Sequence, residues 1–306
     1  MQKILITGGA GFIGSSLAEA LLTDSNNFVV LVDNLLTGTE KNIPLHENCI
    51  FIKADANKAG DIRPVMEQYL FDQVFHYAAV VGVNRTIQHP GLVLEDIYGL
   101  QNMFALSKNT GVKRIFFSSS SEVYGEPVQL PAHEHDTPLN AKMPYAVIKN
   151  LGECFCRTYQ EEFGLDYTIL RFFNTYGPKQ SADFVISKFL ELAFQNKDIP
   201  IYGDGSQTRT FCYIQDNIDF TLEILDKQLH LNDVINVGSD KIITVKELAE
   251  MIIDITGSAS KIAYLPPLKN GDMARRQPDI TKMNVVLKKK LVGLNEGLNY
   301  ILQTRE

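Results

Sequence analysis

The chain opens Met1-Gln2-Lys3-Ile4-Leu5-Ile6-Thr7-Gly8-Gly9-Ala10-Gly11-Phe12-Ile13-Gly14. An apolar run, Ile4–Thr7, stops at glycines. Phe12, Ile13, Leu17, Leu21 and Leu22 then recur with helical spacing over Phe12–Leu22. Strand, glycine turn and helix together form the context that a dinucleotide fingerprint requires. Glycine permits a tight turn and close backbone approach to a pyrophosphate. The helix N-terminus adds free N–H groups and positive dipole. Gly9, Gly11 and Gly14 fit G-x-G-x-x-G, and Gly8, Gly11 and Gly14 fit G-x-x-G-x-x-G.

Outward from that turn, strand and helix alternate. Phe28–Val32, Ile50–Lys53, Gln73–His76, Arg114–Ser118 and Tyr167–Arg171 read as strands buried on both faces. Helical patterns lie at Asp61–Tyr69, Leu92–Asn109 and Tyr145–Phe163. Repeated βαβ units predict an α/β fold with a Rossmann-like, doubly wound parallel sheet. Past about residue 175, Gly and Pro break the chain into shorter elements, with helices at Asp183–Gln195, Asp216–Lys227 and Val245–Thr256. The reading is a nucleotide-binding domain over 1–174 and a smaller substrate-binding lobe over 175–306. A strand at Asp233–Asn236 is placed to rejoin the sheet. Lys288-Lys289-Lys290 reads as a solvated helix face.

Composition narrows the classes. The 306 residues are 45% hydrophobic and 21% charged, as in ordinary globular chains. Lys+Arg 29 against Asp+Glu 36 gives −7, without the basic block of a nucleic-acid binder. No apolar run is long enough for a membrane span, and the N-terminus lacks a signal-peptide layout. Four cysteines, at 49, 154, 156 and 212, are too few for a disulfide framework, so reduced thiols and a cytoplasmic enzyme are expected. Cys154 and Cys156, two apart on a helix, face different ways and read as packed thiols. His133-Glu134-His135-Asp136 lies between prolines without the spacing of a zinc site, so no metal is expected.

Two features carry chemistry beside the glycine turn. Asp33 closes the second strand 19 residues after Gly14 (33 − 14 = 19), placed either to accept from adenosine ribose hydroxyls or to be a solvated strand end. Asn34 follows, with no adjacent Arg to favour a 2′-phosphate, so NAD is preferred over NADP. Asp55 is placed either for the adenine amino group or as a turn residue. Tyr145 and Lys149 stand four apart and share a helix face. A neighbouring ammonium and a nicotinamide cation favour phenolate and make Tyr a usable base. Ser118-Ser119-Ser120-Ser121-Glu122-Val123-Tyr124-Gly125 precedes them at a strand end, where doubly wound sheets bind ligands.

With these residues in view, the chain resembles the extended short-chain dehydrogenases/reductases, the NAD-dependent epimerase/dehydratase family of nucleotide-sugar enzymes. The resemblance runs through TGGAGFIG from Thr7, FHYAA from Phe75, SSSSEVYG from Ser118, YAVIK from Tyr145, RFFNTYGP from Arg171, GDGSQTRTF from Gly203 and RRQPDI from Arg275. It implies NAD contacts at Gly8, Gly11, Phe12, Ile13, Gly14, Asp33, Asn34, Asp55, Ala56, Ala78, Tyr145 and Lys149. It also implies removal of the carbon-four hydroxyl proton of a hexose by Tyr145, with hydride transfer to NAD. Lys149 would lower the Tyr pKa and hold the nicotinamide ribose, and Ser120 would bond the same sugar oxygen.

The fate of the 4-keto sugar stays open among epimerisation, dehydration and decarboxylation. Ser120-Ser121-Glu122 lacks the Asp of dTDP-glucose dehydratases and is similar to UDP-glucuronate decarboxylases and GDP-mannose-type dehydratases. Glu122 is a candidate acid and base at carbon five, or a residue that orients hydroxyls. Arg276 would meet a sugar carboxylate or a phosphate. The MPYAVIK stretch around Tyr145 departs from the decarboxylase pattern, and Asp96 stands where the family commonly has Asn. Arg85 and Ser121 are implied at the sugar end, Asn174 and Arg209 at the diphosphate and Tyr202 along the base of a UDP- or GDP-sugar. A homodimer is expected, pairing Leu92–Asn109 and Tyr145–Phe163 in a four-helix bundle. The alternatives are a net dehydrogenase releasing the 4-keto sugar and a non-catalytic NAD-sensing protein.

Overall fold

Seven parallel strands, side by side in the order Asp233–Val237, Asp166–Phe172, Arg114–Ser120, Gln73–His76, Gln2–Thr7, Asn27–Asp33 and Cys49–Lys53, form the centre of the molecule in a computed structural model that describes residues 1–267 and 275–304. The first half supplies β1 (Gln2–Thr7), α1 (Phe12–Leu21), β2 (Asn27–Asp33), β3 (Cys49–Lys53), α2 (Ala59–Tyr69) and β4 (Gln73–His76). It continues with α3 (Val83–Gln88), α4 (Pro90–Leu94), α5 (Asp96–Thr110), β5 (Arg114–Ser120), α6 (Pro144–Phe163) and β6 (Asp166–Phe172). The second half supplies β7 (Thr175–Tyr176), α7 (Val185–Phe194), β8 (Ile199–Tyr202), β9 (Thr208–Thr210), β10 (Cys212–Tyr213) and α8 (Ile214–Asp226). After these come β11 (Asp233–Val237), β12 (Ile242–Thr244), α9 (Val245–Thr256), β13 (Ile262–Leu265), α10 (Thr281–Leu287) and α11 (Leu294–Gln303).

Side-chain alternation explains the two cores. Ile4, Ile6, Val29, Leu31 and Phe116 pack on one face of the sheet with α1, α7, α8 and α9. Leu5, Val30, Val32, Ile115 and Phe117 pack on the other with α2, α4, α5 and α6. Successive strand residues point to opposite faces, so a continuous apolar run is what a sheet covered on both sides demands.

The expected strand at 233–236 is present as β11 and pairs in parallel with β6, so the second half of the chain completes the sheet. The remaining strands of that half form three two-stranded sheets, β10-β7, β12-β9 and β13-β8, too short to show a hydrophobic period. The helix expected over Leu92–Asn109 is divided into α4 and α5 at Glu95, beside Asp96, whose carboxylate turns inward to the Val80 amide. The Lys288–Lys290 stretch is not helical. Lys288 ends α10 in the left-handed region at φ 50°, and Lys289 pairs with Asp216 and Asp219. Cys156 is buried as expected, whereas Cys154 is exposed. Residues 268–274 and 305–306 of the expected second lobe lie outside the described residues.

Candidate active site

The glycine turn is shaped by what leaves no room for a side chain. Gly8 has φ 71°, and a Cβ there would lie 2.8 Å from the Ala78 amide nitrogen. A Cβ on Gly14 would collide with the Gly8 carbonyl oxygen. The turn can therefore hug the end of β4 and the first turn of α1 together only with glycine at both positions. Gly11 caps α1 without a side-chain bond, and the first turn has no acidic residue, so its N–H groups face the cleft free for an anion. Phe12 and Ile13 line the same cleft.

Asp33, at the end of β2, is 9% exposed. Its Oδ2 accepts from the Ala10 amide at 3.1 Å and its Oδ1 from the Leu35 amide at 2.7 Å. Burial raises its pKa, and those two hydrogen bonds oppose the rise. Asn34, Asp55, Ala56 and Ala78 line the cleft on either side. The Ala78 amide is held by Thr7 Oγ1 at 3.2 Å, and Asp55 Oδ1 accepts from the Asn57 amide at 3.0 Å. Glycine cradle, free helix N-terminus and strand-end carboxylate together fit a dinucleotide.

At the other end of the cleft, α6 lies along the end of β5. Pro144 starts the helix with its φ already fixed. Tyr145, Lys149 and Glu153, at successive intervals of four, meet three consecutive serines. Lys149 Nζ donates to Ser118 Oγ at 3.1 Å, Ser119 Oγ donates to Glu153 Oε1 at 2.6 Å, and Tyr145 hydrogen-bonds Ser120. Lys149 Nζ stands 5.7 Å from the centre of the Tyr145 ring. Burial brings the Lys149 pKa down to about 8, with Asp96 opposing. Burial and the charge of Glu122 push the Tyr145 phenol up, while the Ser120 bond and Arg276 pull it down. Ser120 and Arg276 thus act to lower the phenol, and the resemblance implies that the Lys149 ammonium does so as well.

Glu122 sits on a single 3-10 turn, Ser121–Tyr124, whose start is fixed by Ser120 Oγ accepting from the Glu122 amide at 3.2 Å. Its Oε1 lies 3.5 Å from Arg276 Nη2. Arg276 arrives on a segment held by the Ala132 amide donating to the Gln277 carbonyl at 2.8 Å and by a bridge between Thr208 and Arg275. Its Nε is buried and has no hydrogen-bond partner among the described residues, leaving a guanidinium donor for a ligand.

Ser121 and Asn174 also line the cleft, and Asn174 Nδ2 is tied to the Thr210 carbonyl at 3.0 Å. Three expected residues are not among those lining it. Arg85 donates to the Val81 carbonyl at 2.6 Å and pairs with Asp183 at 3.6 Å. Tyr202 ends β8 beside Leu265. Arg209 is buried on β9, one residue beyond the Thr208 bridge to Arg275. Asp96, which departs from the Asn expected there, accepts from Val80 N at 2.9 Å and Asn57 Nδ2 at 3.2 Å.

The sequence reading missed Glu153 and Ser118. The signal for Glu153 was present, since it continues the four-residue interval of Tyr145 and Lys149. Glu153 is fully buried and holds Arg171 through both carboxylate oxygens at 2.8 Å. Arg171 in turn donates to Tyr124 Oη at 2.8 Å.

Residues 4–238 match the NAD dependent epimerase/dehydratase family. The chain is 35% identical over 297 residues to UDP-N-acetyl-alpha-D-glucosaminuronate decarboxylase of Bacillus cytotoxicus, covering 92% of this chain and 90% of that protein. Its structure superposes on UDP-glucose 4-epimerase of Thermotoga maritima, solved with UDP-glucose, with a TM-score of 0.92, 32% identity and both chains fully covered. It also superposes on UDP-glucuronic acid 4-epimerase of Bacillus cereus, solved with UDP-glucuronic acid and NAD, with a TM-score of 0.89 and 32% identity, covering 99% of this chain and 100% of that one. Among the described residues no helix is long and apolar enough to cross a membrane.

Proposed function

We propose that this chain, which belongs to the NAD-dependent epimerase/dehydratase family, oxidises carbon four of a UDP-uronic acid and then releases the carbon-six carboxylate as carbon dioxide. The observation that carries this reading is the Glu122–Arg276 pair, 3.5 Å apart in the cleft that also holds Tyr145. A cation with an unpartnered Nε suits an anionic carbon-six group, and a carboxylate two residues after Ser120 suits proton delivery at carbon five.

NAD, which the Gly8–Gly14 turn and Asp33 would hold, would supply a reversible two-electron acceptor for carbon four, taking a hydride at the start and returning it to the same carbon after carbon five is protonated, so that the cofactor is unchanged overall. Tyr145 takes the carbon-four hydroxyl proton, with Ser120 bonding the same oxygen. Oxidation places a ketone β to the carboxylate. Loss of carbon dioxide then sends the electron pair of the breaking bond onto the carbon-four oxygen, where Tyr145 and Ser120 donate hydrogen bonds. Glu122 protonates carbon five. Residues 1–174 carry the cofactor in this reading. Residues 175–306 carry most of the nucleotide end in this reading, with Asn174 lining the cleft at the boundary.

A second reading, carbon-four epimerisation without loss of carbon six, is favoured by the two epimerase structures that match the whole chain. Incubation with UDP-glucuronic acid and with UDP-glucose, followed by product mass and proton NMR, tests both. Loss of carbon dioxide supports decarboxylation; unchanged mass with inverted carbon four supports epimerisation. Release of a 4-keto sugar with stoichiometric NADH would make the chain a net dehydrogenase.

The exposed apolar residues Leu94, Tyr98, Val147 and Phe163 lie on α4, α5 and α6, which supports a homodimer through that face. Light scattering at micromolar concentration tests this, and a monomeric mass would rule it out. Four free cysteines fit the cytoplasm, where thiols stay reduced.

A further inference from the structure

Away from the cleft, folding assembles a donor set that the run His133–Asp136 does not contain by itself. His133, Glu134 and Asp279 each bring one donor atom within 4.8 Å of the others. Glu134 is 4% exposed, and its Oε1 accepts from the Asn236 amide at 2.9 Å. Its Oε2 is buried and accepts no hydrogen bond from any described residue. A buried carboxylate oxygen without a partner is costly unless a cation or a proton meets it.

The neighbouring cations are already engaged. Arg171 is held by Glu153, and Lys282 by Asp233. Among the described residues neither Glu134 nor Asp279 has a Lys or Arg partner. His133 Nδ1 lies 3.3 Å from Asp136 Oδ2, nearer than the His135 amide at 3.5 Å. Both contacts are made at Nδ1, and no described residue hydrogen-bonds Nε2, the ring nitrogen left open to an ion.

We propose that His133, Glu134 and Asp279 bind one divalent transition-metal cation, with zinc the ion whose preference for imidazole and carboxylate ligands fits best and water completing the shell. Tetrahedral zinc with bonds of ~2.1 Å holds its ligands ~3.4 Å apart, so binding draws the three side chains closer than they stand. The ion acts as a clamp. It joins the segment around Ala132–Asp136 to the segment 275–280, which already exchange Ala132 N to Gln277 O and Asp279 N to Ala132 O at 2.8 Å each. Arg276 lies three residues before Asp279, so the clamp fixes the stretch that carries Arg276 into the cleft. The ion touches no reacting atom.

The test is calorimetric titration of zinc chloride into the full-length chain after chelator treatment and dialysis, alongside Asp279→Asn and His133→Gln. Both side chains are partly exposed, and circular dichroism checks that both variants fold. One zinc per chain is expected, with affinity at least tenfold weaker in each variant. Native mass spectra of the unaltered chain at equimolar zinc give a second reading that needs no variant, with one retained ion expected. No zinc uptake in either measurement would overturn the proposal. Uptake undiminished by both substitutions would do the same, by placing the ion on other surface groups.

Discussion

Glu153 and Arg171 form a buried, two-pronged ion pair, both contacts at 2.8 Å, and the same Glu153 accepts from Ser119 at 2.6 Å. The pair therefore joins α6, which carries Tyr145 and Lys149, to β6, and the Ser119 bond ties the same carboxylate to the end of β5, which carries Ser120. Removing one partner of such a pair leaves the other charge buried and uncompensated, at a cost of about 3–5 kcal/mol. Glu153→Gln is expected to lower stability by that order in urea unfolding. A loss under about 1 kcal/mol would show that the pair does not hold α6 in place. The hydrogen bonds and charge of Arg171 outweigh burial and depress the Glu153 pKa. A depressed carboxylate contributes stability that is complete above its unfolded pKa and is lost as pH falls through the folded one. Acid unfolding of the wild type below pH ~4 should thus include a Glu153 component that the Gln variant lacks.

Tyr145→Phe should keep NAD binding, because the cradle at Gly8–Gly14 and Asp33 is untouched. Turnover should fall by about 10²–10⁴, the usual weight of a positioned general base. Near-wild-type turnover in steady-state assays would remove Tyr145 from the proton transfer.

The Lys149 pKa of about 8 predicts a pH effect with a definite sign. Below that value the ammonium is present and favours phenolate on Tyr145; above it the charge is lost. The rate in the chain loaded with NAD should therefore decline on the alkaline side. Lys149→Arg keeps its charge, so any activity it retains should show no such decline. A shared alkaline limb in the two pH profiles would assign the ionisation elsewhere.

Glu122→Gln separates the outcomes available to the 4-keto sugar. If Glu122 protonates carbon five, the variant still oxidises carbon four, so NADH absorbance rises in a single turnover while final product is absent. If only carbon four changes, the same product forms more slowly. Undiminished formation of a decarboxylated product would sink the acid role.

Asp33 favours two free ribose hydroxyls and repels a 2′-phosphate. Calorimetry should give tighter binding of NAD than NADP, with the preference reduced in Asp33→Asn. Equal affinity of the wild type for both would show that Asp33 does not select the cofactor.

Much of the fold and of the cleft was legible in the residues themselves. The strands of the sheet were visible because burial on both faces makes each a continuous apolar run, as in Phe28–Val32 and Arg114–Ser118. The glycine turn was visible because Gly8 and Gly14 occupy positions that no side chain fits. Tyr145 and Lys149 were visible because helix periodicity puts them on one face. Sequence alone thus determined the fold class, the glycine turn at one end of the cleft and the shared helix face of Tyr145 and Lys149. Tertiary structure alone decided the pairing of Glu122 with Arg276, 154 positions apart (276 − 122 = 154), and the placing of Asp279 beside His133 and Glu134. It also decided that Arg85 turns to Asp183, away from the cleft lining, and that Lys289 is drawn onto Asp216 and Asp219. The reason is physical. Local periodicity and backbone sterics act over a few residues and leave their mark in spacing. A contact between distant charged side chains depends on how separately packed segments meet, and no local pattern in the chain records that.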